Sequence, residues 1–235
     1  MIRRRPTMIS SGIYQIRASG ARITVVTGCN GTTLIDTGGI WSFPSVKSSL
    51  QKIGVRLENI RYIFLTHYHP DHSGGLGKLA KETKAKIAVH ADEWRMIAAG
   101  LLPNPFQNKR VARLTNPIIR RLYDFPDRVD LLLRDGDEVA LDERRKIRIV
   151  HTPGHTAGSI SLLVLPEQVL IVGDALQHRS GKLSPPKPSV TDDMAVSLES
   201  VKKLAALDVK TICFSHFPPL YSDGVPILSQ QFGHL

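Results

Sequence analysis

A chain of 235 residues, 42% of them hydrophobic and 22% charged, has the material for one buried domain and not the composition of a disordered segment. No run approaches the ~18 consecutive apolar residues of a membrane span, and the two cysteines, Cys29 and Cys213, lie far apart without a CxxC partner, which argues against a disulfide framework and fits a reducing, cytoplasmic setting. The formal charge of +10 opens three prospects: nucleic acid, an anionic metabolite, or simply a solvated basic surface.

The opening Met-Ile-Arg-Arg-Arg-Pro has the charge of a signal peptide without the apolar stretch that should follow, and reads as a ragged basic terminus. Ile13 to Arg17 and Arg22 to Thr27 are expected strands about a Ser19-Gly20 hairpin turn, and Cys29-Asn30-Gly31 turns the chain into a third strand, Thr32 to Asp36. Ser45 to Ile53 has a helical apolar face (Val46, Ser49, Leu50, Ile53) that Gly54 stops. Ile60 to Thr66 suits a strand buried on both faces. Leu76 to Thr83 is a short helix and Lys86 to His90 a strand. From Ala91 to Arg134 an insertion broken by prolines 103, 105, 117 and 126 is expected to form short helices, at Asp92 to Gly100 and Lys109 to Tyr123. Strands then return at 138–141, 146–151, 159–165 and 168–172. An amphipathic helix, 194–206, has apolar positions at Val196, Leu198, Val201, Leu204 and Ala205, and a last buried strand covers 210–214. Strands followed by helix, twice over, predict two sheets with helices outside, in one domain.

Residues 67–72 place four ligand-type side chains (His67, His69, Asp71, His72) directly after a buried strand. In extended chain His67 and His69 point the same way; Pro70 breaks the alternation and turns Asp71 and His72 toward a second point, with Gly74 and Gly75 leading tightly into the next helix. Two neighbouring metals are the natural reading. His155, Asp174 and His216 each follow a further apolar strand, and the ends of such strands can converge on one crevice. One histidine alone would be read as a structural or surface residue; seven ligand-type residues at four strand ends point to a metal site. Imidazole and carboxylate without thiolate suit Zn²⁺, and also Mn²⁺ or Fe.

The motifs HYHPDH, PGHTAGS, VGDAL and FSHF, in that order, resemble the metallo-β-lactamase superfamily over almost the whole chain. The resemblance implies an αββα sandwich of two mixed sheets with helices on the outer faces. It assigns His67, His69 and His155 to one metal and Asp71, His72 and His216 to the other, with Asp174 bridging, and it gives Asp36, in Leu34-Ile35-Asp36-Thr37-Gly38-Gly39, the part of supporting the metal loop from behind. The chain lacks the cysteine of true β-lactamases and the glutamate of flavodiiron proteins. With only 19 residues after His216, it is also not expected to carry the terminal helical domain of hydroxyacylglutathione hydrolases.

The chemistry so implied is hydrolysis by a hydroxide held between two divalent metals, with Asp71 orienting it and passing a proton to the leaving group. A small-molecule ester, lactone or thioester is the expected substrate, and an RNA or DNA phosphodiester the alternative that the net charge motivates. From Lys109 to Arg128 the insertion has six basic and two acidic residues, the features of a lid for an anionic substrate or of an ordinary cap with a wet basic face. Tyr221 and His178 are weaker candidates for touching substrate; His90, His151 and His234 have no role assigned.

Overall fold

The computed structural model describes residues 5–98, 114, 117, 125–179, 181–221, 228 and 232. The first sheet begins as an antiparallel meander of β1 (Thr7–Ser10), β2 (Ile13–Arg17), β3 (Arg22–Gly28) and β4 (Gly31–Ile35), and continues in parallel through β5 (Ile60–Phe64), β6 (Lys86–His90) and β7 (Leu131–Leu133). The parallel crossovers contain α1 (Phe43–Lys52), α2 (Pro70–Ser73), α3 (Leu76–Thr83) and α4 (Ala91–Ala98). The second sheet holds β8 (Glu138–Ala140), β9 (Lys146–His151), β10 (Ile160–Leu165) and β11 (Val169–Ile171). A separate hairpin follows, β12 (Gln177–Arg179) with β13 (Lys182–Ser184), and then α5 (Met194–Ala205). β14 (Thr211–Cys213) and β15 (Leu220–Tyr221) complete the second sheet, in spatial order β15-β14-β11-β10-β9-β8.

Near-continuous apolar strands are explained by what lies on each face. In the first sheet Ile16, Ile23, Leu34, Ile63 and Ile87 pack outward with Val46 and Leu50 of α1 and Leu79 of α3. Their neighbours Val26, Ile35, Phe64 and Ala88 pack inward against Ile147, Ile149, Leu162 and Ile171 of the second sheet. That sheet's other face carries Val150, Leu163, Leu170 and Ile212 under Val201 and Leu204 of α5. Successive residues of one strand therefore serve two different cores. Each fully buried Ile, Leu or Phe contributes roughly 1.5–3 kcal/mol. The result is the expected arrangement of two mixed sheets with helices outside, and no helix among the described residues is long and apolar enough to cross a membrane.

Two local expectations need correction. Leu131–Leu133, assigned to the insertion, is the edge strand of the first sheet, paired with Ala88–His90. The start of the insertion forms an expected helix, α4, which packs Ile97 and Trp94 onto the first sheet's outer core; the expected helix at 109–123 lies almost wholly outside the described residues, as do nearly all the basic residues. In α5, Val196 and Leu198 are 39% and 37% exposed, whereas Ser197, Ser200, Val201, Leu204 and Ala205 face inward. Small polar residues suit that face because the 153–154 turn comes hard against it: Ser200 Oγ donates to Pro153 O at 2.7 Å, and a Cβ on Gly154 would meet Ser197 Cα at 2.4 Å.

Candidate metal centre

β9, β11 and β14 run the same way, so their C-terminal ends lie along one edge of the second sheet and carry His155, Asp174 and His216. Across the sandwich, the C-terminal ends of β4 and β5 deliver Asp36 and the segment His67–His72. Two backbone bonds stitch these edges together, Ile160 N to Thr66 O at 2.9 Å and Arg22 N to Ser215 O at 2.7 Å. The Ser19-Gly20 turn closes over Asp71: Gly20 has φ +89°, and a Cβ there would lie 2.4 Å from Asp71 Cβ.

All seven predicted ligands come together. His67, His69 and His155 form one group, Asp71, His72 and His216 a second, and His67, His72 and Asp174 a third between them, each with its ligand atoms within 4.8 Å of one another. In the first, His69 Nδ1 lies 3.1 Å from His67 Nε2 and 2.9 Å from His155 Nε2. Nitrogen ligands at ~2.0–2.1 Å from a tetrahedral ion stand about 3.3–3.4 Å apart, close to these two separations. Asp174 lies between the halves, 3.5 Å from His155 Nε2, 3.5 Å from His72 Nε2 and 3.2 Å from His216 Nε2.

Hydrogen bonds on the far side of the rings fix which nitrogen faces inward. Asp36 is buried at φ 66°, accepts from Thr66 N at 2.8 Å and from Thr66 Oγ1 at 2.9 Å, and takes the Nδ1 proton of His72 at 2.8 Å. Thr66 Oγ1, having donated to Asp36, accepts from His67 Nδ1 at 3.0 Å. His216 Nδ1 donates to Gly20 O at 3.1 Å. The Nε2 atoms of His67, His72 and His216 are thereby turned to the interior, and His72 Nε2 is buried with no hydrogen-bond partner. An enclosed, unpartnered imidazole nitrogen between two carboxylates is what a cation would satisfy. These donors fit divalent metal.

Protonation divides the site. Burial, then the neighbouring rings, lower His67 well below the ordinary imidazole range, and lower His69 to about 4. Burial also lowers His155. Burial works against the charged form of His72 as well, but Asp36, Asp174 and Asp71 override it and raise the group to about 9. His216 is raised by its hydrogen bond to Asp174, and Asp174, despite its burial, is held well below the usual carboxylate range by His72 and His216.

The weaker candidates stay apart. Tyr221 pairs with Thr211, at the end of β14 opposite the His216 turn, because the chain reverses between them; it is not brought to the cluster. His178 stacks on Phe214, ring centroids 5.7 Å apart, and belongs to none of the ligand groups. A fourth grouping, His90, Asp92 and His151, has its two rings stacked at 4.0 Å and 14°. An ion shared by two imidazoles must lie near the plane of both rings, which this face-to-face stacking opposes. Sequence reading passed over Thr66, whose hydroxyl links His67 to Asp36, and Glu93, a buried carboxylate beneath both ligand loops.

The sequence profile of the metallo-β-lactamase superfamily matches residues 17–216, and the chain belongs to that superfamily. Among curated relatives it is 28% identical to a probable metallo-hydrolase of Bacillus subtilis (strain 168), over 80% of this chain and 72% of that protein. It is 32% identical to an acyl-coenzyme A thioesterase of Homo sapiens, over 73% of this chain and 66% of that protein. Among solved structures, a metallo-β-lactamase family protein from Thermus thermophilus superposes with a TM-score of 0.74 at 22% identity, covering 97% of this chain and 79% of its own, and supports the fold. The enzyme class is that expected from the sequence, a metal-dependent hydrolase.

Proposed function

We propose that the chain hydrolyses small carboxylic esters, lactones or thioesters at a site for two divalent cations. His67, His69 and His155 hold one, Asp71, His72 and His216 the other, and Asp174 is shared. The observation that carries this reading is the sharing: one carboxylate stands within 3.5 Å of imidazole nitrogens from both halves. Zn²⁺ is the cation we assign, on a donor set that also admits Mn²⁺ or Fe. When bound, two such cations supply a nucleophile at neutral pH and polarise the scissile carbonyl. Asp36 and Thr66 hold His72 and His67 in the tautomers that leave Nε2 free. Asp71, with 38% of its side chain exposed and Oδ2 3.6 Å from His216 Nε2, reaches the mouth of the site, where it would take the proton given up by the attacking water and pass it to the leaving oxygen or sulfur.

The thioesterase among the relatives supports a carbonyl substrate. The chain before the 38–41 loop is tied to the ligand segment by Thr37 N to His72 O at 2.7 Å, and we assign that loop's Trp41, 79% exposed, as an apolar surface for an acyl group. The two cysteines are unpaired, consistent with a cytoplasmic setting. The net charge of +10 supports an anionic substrate, and in a second reading a nucleic-acid phosphodiester. Elemental analysis paired with a panel of lactones, thioesters, carboxylic esters and phosphodiesters tests this. We expect near two equivalents of metal and carbonyl-selective turnover that a chelator abolishes. Turnover of phosphodiesters alone moves the assignment to a nuclease, and failure to take up metal supplied in excess overturns both.

A further inference from the structure

Glu93, in the first turn of α4, is fully buried. A carboxylate removed from water needs a cation or a set of donors, and Glu93 has donors from two places. Its Oε2 accepts from Tyr68 N at 2.9 Å, and its Oε1 accepts from Gly158 N at 2.9 Å and from Thr156 Oγ1. Tyr68 stands between His67 and His69; Thr156 and Gly158 follow His155. One side chain therefore grips both segments that carry the three-histidine group, segments whose rings are 86 residues apart at the His69–His155 contact. The fit is close: a Cβ on Gly158 would lie 2.4 Å from Glu93 N and 2.7 Å from Glu93 Cγ, so the loop can rest on the helix only with glycine at this position. Burial pushes the Glu93 carboxyl up to about 7, and the hydrogen bonds from Thr156, Tyr68 and Gly158 keep it from rising further.

We infer that Glu93 is a positioning residue for the cation held by His67, His69 and His155: it clamps the two ligand loops at the spacing that brings their nitrogens together. The inference rests on those histidines being ligands, as proposed above. The geometry indicates the substitution that exposes the role. Two backbone N–H groups point at Glu93, one at each oxygen. A glutamine of nearly the same volume has one oxygen and one NH₂ group, so whichever way it turns it sets a donor against a donor and releases one loop. Removing a partner of this kind from a metal ligand's surroundings typically weakens metal binding about 10–100-fold.

The test is competitive titration of the metal-free protein with Zn²⁺ against a chromogenic chelator, with the Co²⁺ visible spectrum read in parallel. Two backgrounds separate the halves: His216→Ala leaves the three-histidine group to report, and His155→Ala leaves the other. In the first background Glu93→Gln is expected to weaken binding about 10–100-fold and to alter the Co²⁺ ligand-field bands; in the second it should change affinity by less than about threefold. A general loosening of the fold would weaken both backgrounds alike, and that result, or unchanged affinity in the first, overturns the clamp. If Glu93→Gln does not fold, Thr156→Val removes one donor and should give the same selectivity at a smaller, several-fold loss; its absence overturns the clamp equally. A His155→Ala protein that still binds two cations refutes the ligand assignment, and with it the clamp.

Discussion

The two halves of the site use the same kinds of side chain and prepare them in opposite ways. His67, His69 and His155 are enclosed, and although Asp174 stands 3.5 Å from His155 Nε2, burial prevails and favours the neutral form of all three rings. Asp71 and His216 lie toward solvent, with 38% and 30% of the side chain exposed, around the buried His72, and neighbouring carboxylates, Asp36 and Asp174 at His72 and Asp174 at His216, favour the protonated form of both imidazoles. A cation entering the first half meets imidazoles that burial already favours in the neutral form; one entering the second competes with protons that the carboxylates favour. Cation binding in the second half is thus the more strongly coupled to proton release.

The largest break in this comparison comes at the residue both halves share. Asp174→Asn keeps the shape and removes the charge that raises His72 and His216 and reaches His155. Loss of one cation's stabilisation of the transition state, several kcal/mol, predicts at least about a 10³-fold fall in kcat/KM, with metal content dropping toward one equivalent. Retention of activity within tenfold would show that the halves work without their common carboxylate.

A smaller and more selective effect is expected at Asp36→Asn. Asparagine tolerates the left-handed backbone that Asp36 adopts at φ 66°, so the loop keeps its path. What changes is the acceptor for His72 Nδ1. Binding in the Asp71, His72, His216 half should weaken about 10–100-fold. The three-histidine half, which Asp36 reaches only through Thr66 and His67, should lose several-fold less. Zn²⁺ titration in the His216→Ala and His155→Ala proteins measures the two losses separately, and equal losses would erase the distinction drawn between the halves.

Much of this was legible in the sequence because the ligands sit at the ends of long apolar runs: IRYIFLT before His67, KIRIVH before His155, QVLIV before Asp174 and KTICF before His216. Such runs are strands buried on both faces, and the packing of Phe64 inward and Ile63 outward is the physical reason they are unbroken. What failed to show has equally local causes. Thr7–Ser10 is short, with Thr7 and Met8 exposed, and gives no alternating signal. Leu131–Leu133 has three residues and follows a segment of different character. Tyr221 stands five positions after His216 in sequence, yet antiparallel pairing returns it to the wrong end of β14. Glu93 was invisible because its partners lie 25 and 65 residues away, and nothing about an acidic residue in a helix's first turn separates a clamp from an ordinary favourable charge.

The smallest expected effect on the site tests whether histidine clustering alone explains the contrast. His90 and His151 also meet, but stacked, and His90 is lowered to about 4 by burial and then by His151, against partial support from Asp92 and Asp135. A histidine whose folded pKa lies below its unfolded value of 6.5 binds fewer protons in the native state. Its contribution to stability is therefore whole above about pH 6.5, is lost as pH falls, and is gone below about 4. Asparagine at position 90 does not titrate in this range and retains an acceptor for Asp92 N, which His90 Nδ1 meets at 3.3 Å. In chelator-treated protein, His90→Asn should reduce the stability lost between pH 6.5 and 4 by about 1–3 kcal/mol relative to the parent, read as the difference between the two denaturation series at each pH. The three site histidines titrate in the same direction in both proteins and cancel. Zn²⁺ affinity at neutral pH should be unchanged, because stacked rings do not converge their lone pairs. A loss of metal from His90→Asn would mean that this pair belongs to the site after all, and that the line between the halves and their surroundings has been drawn in the wrong place.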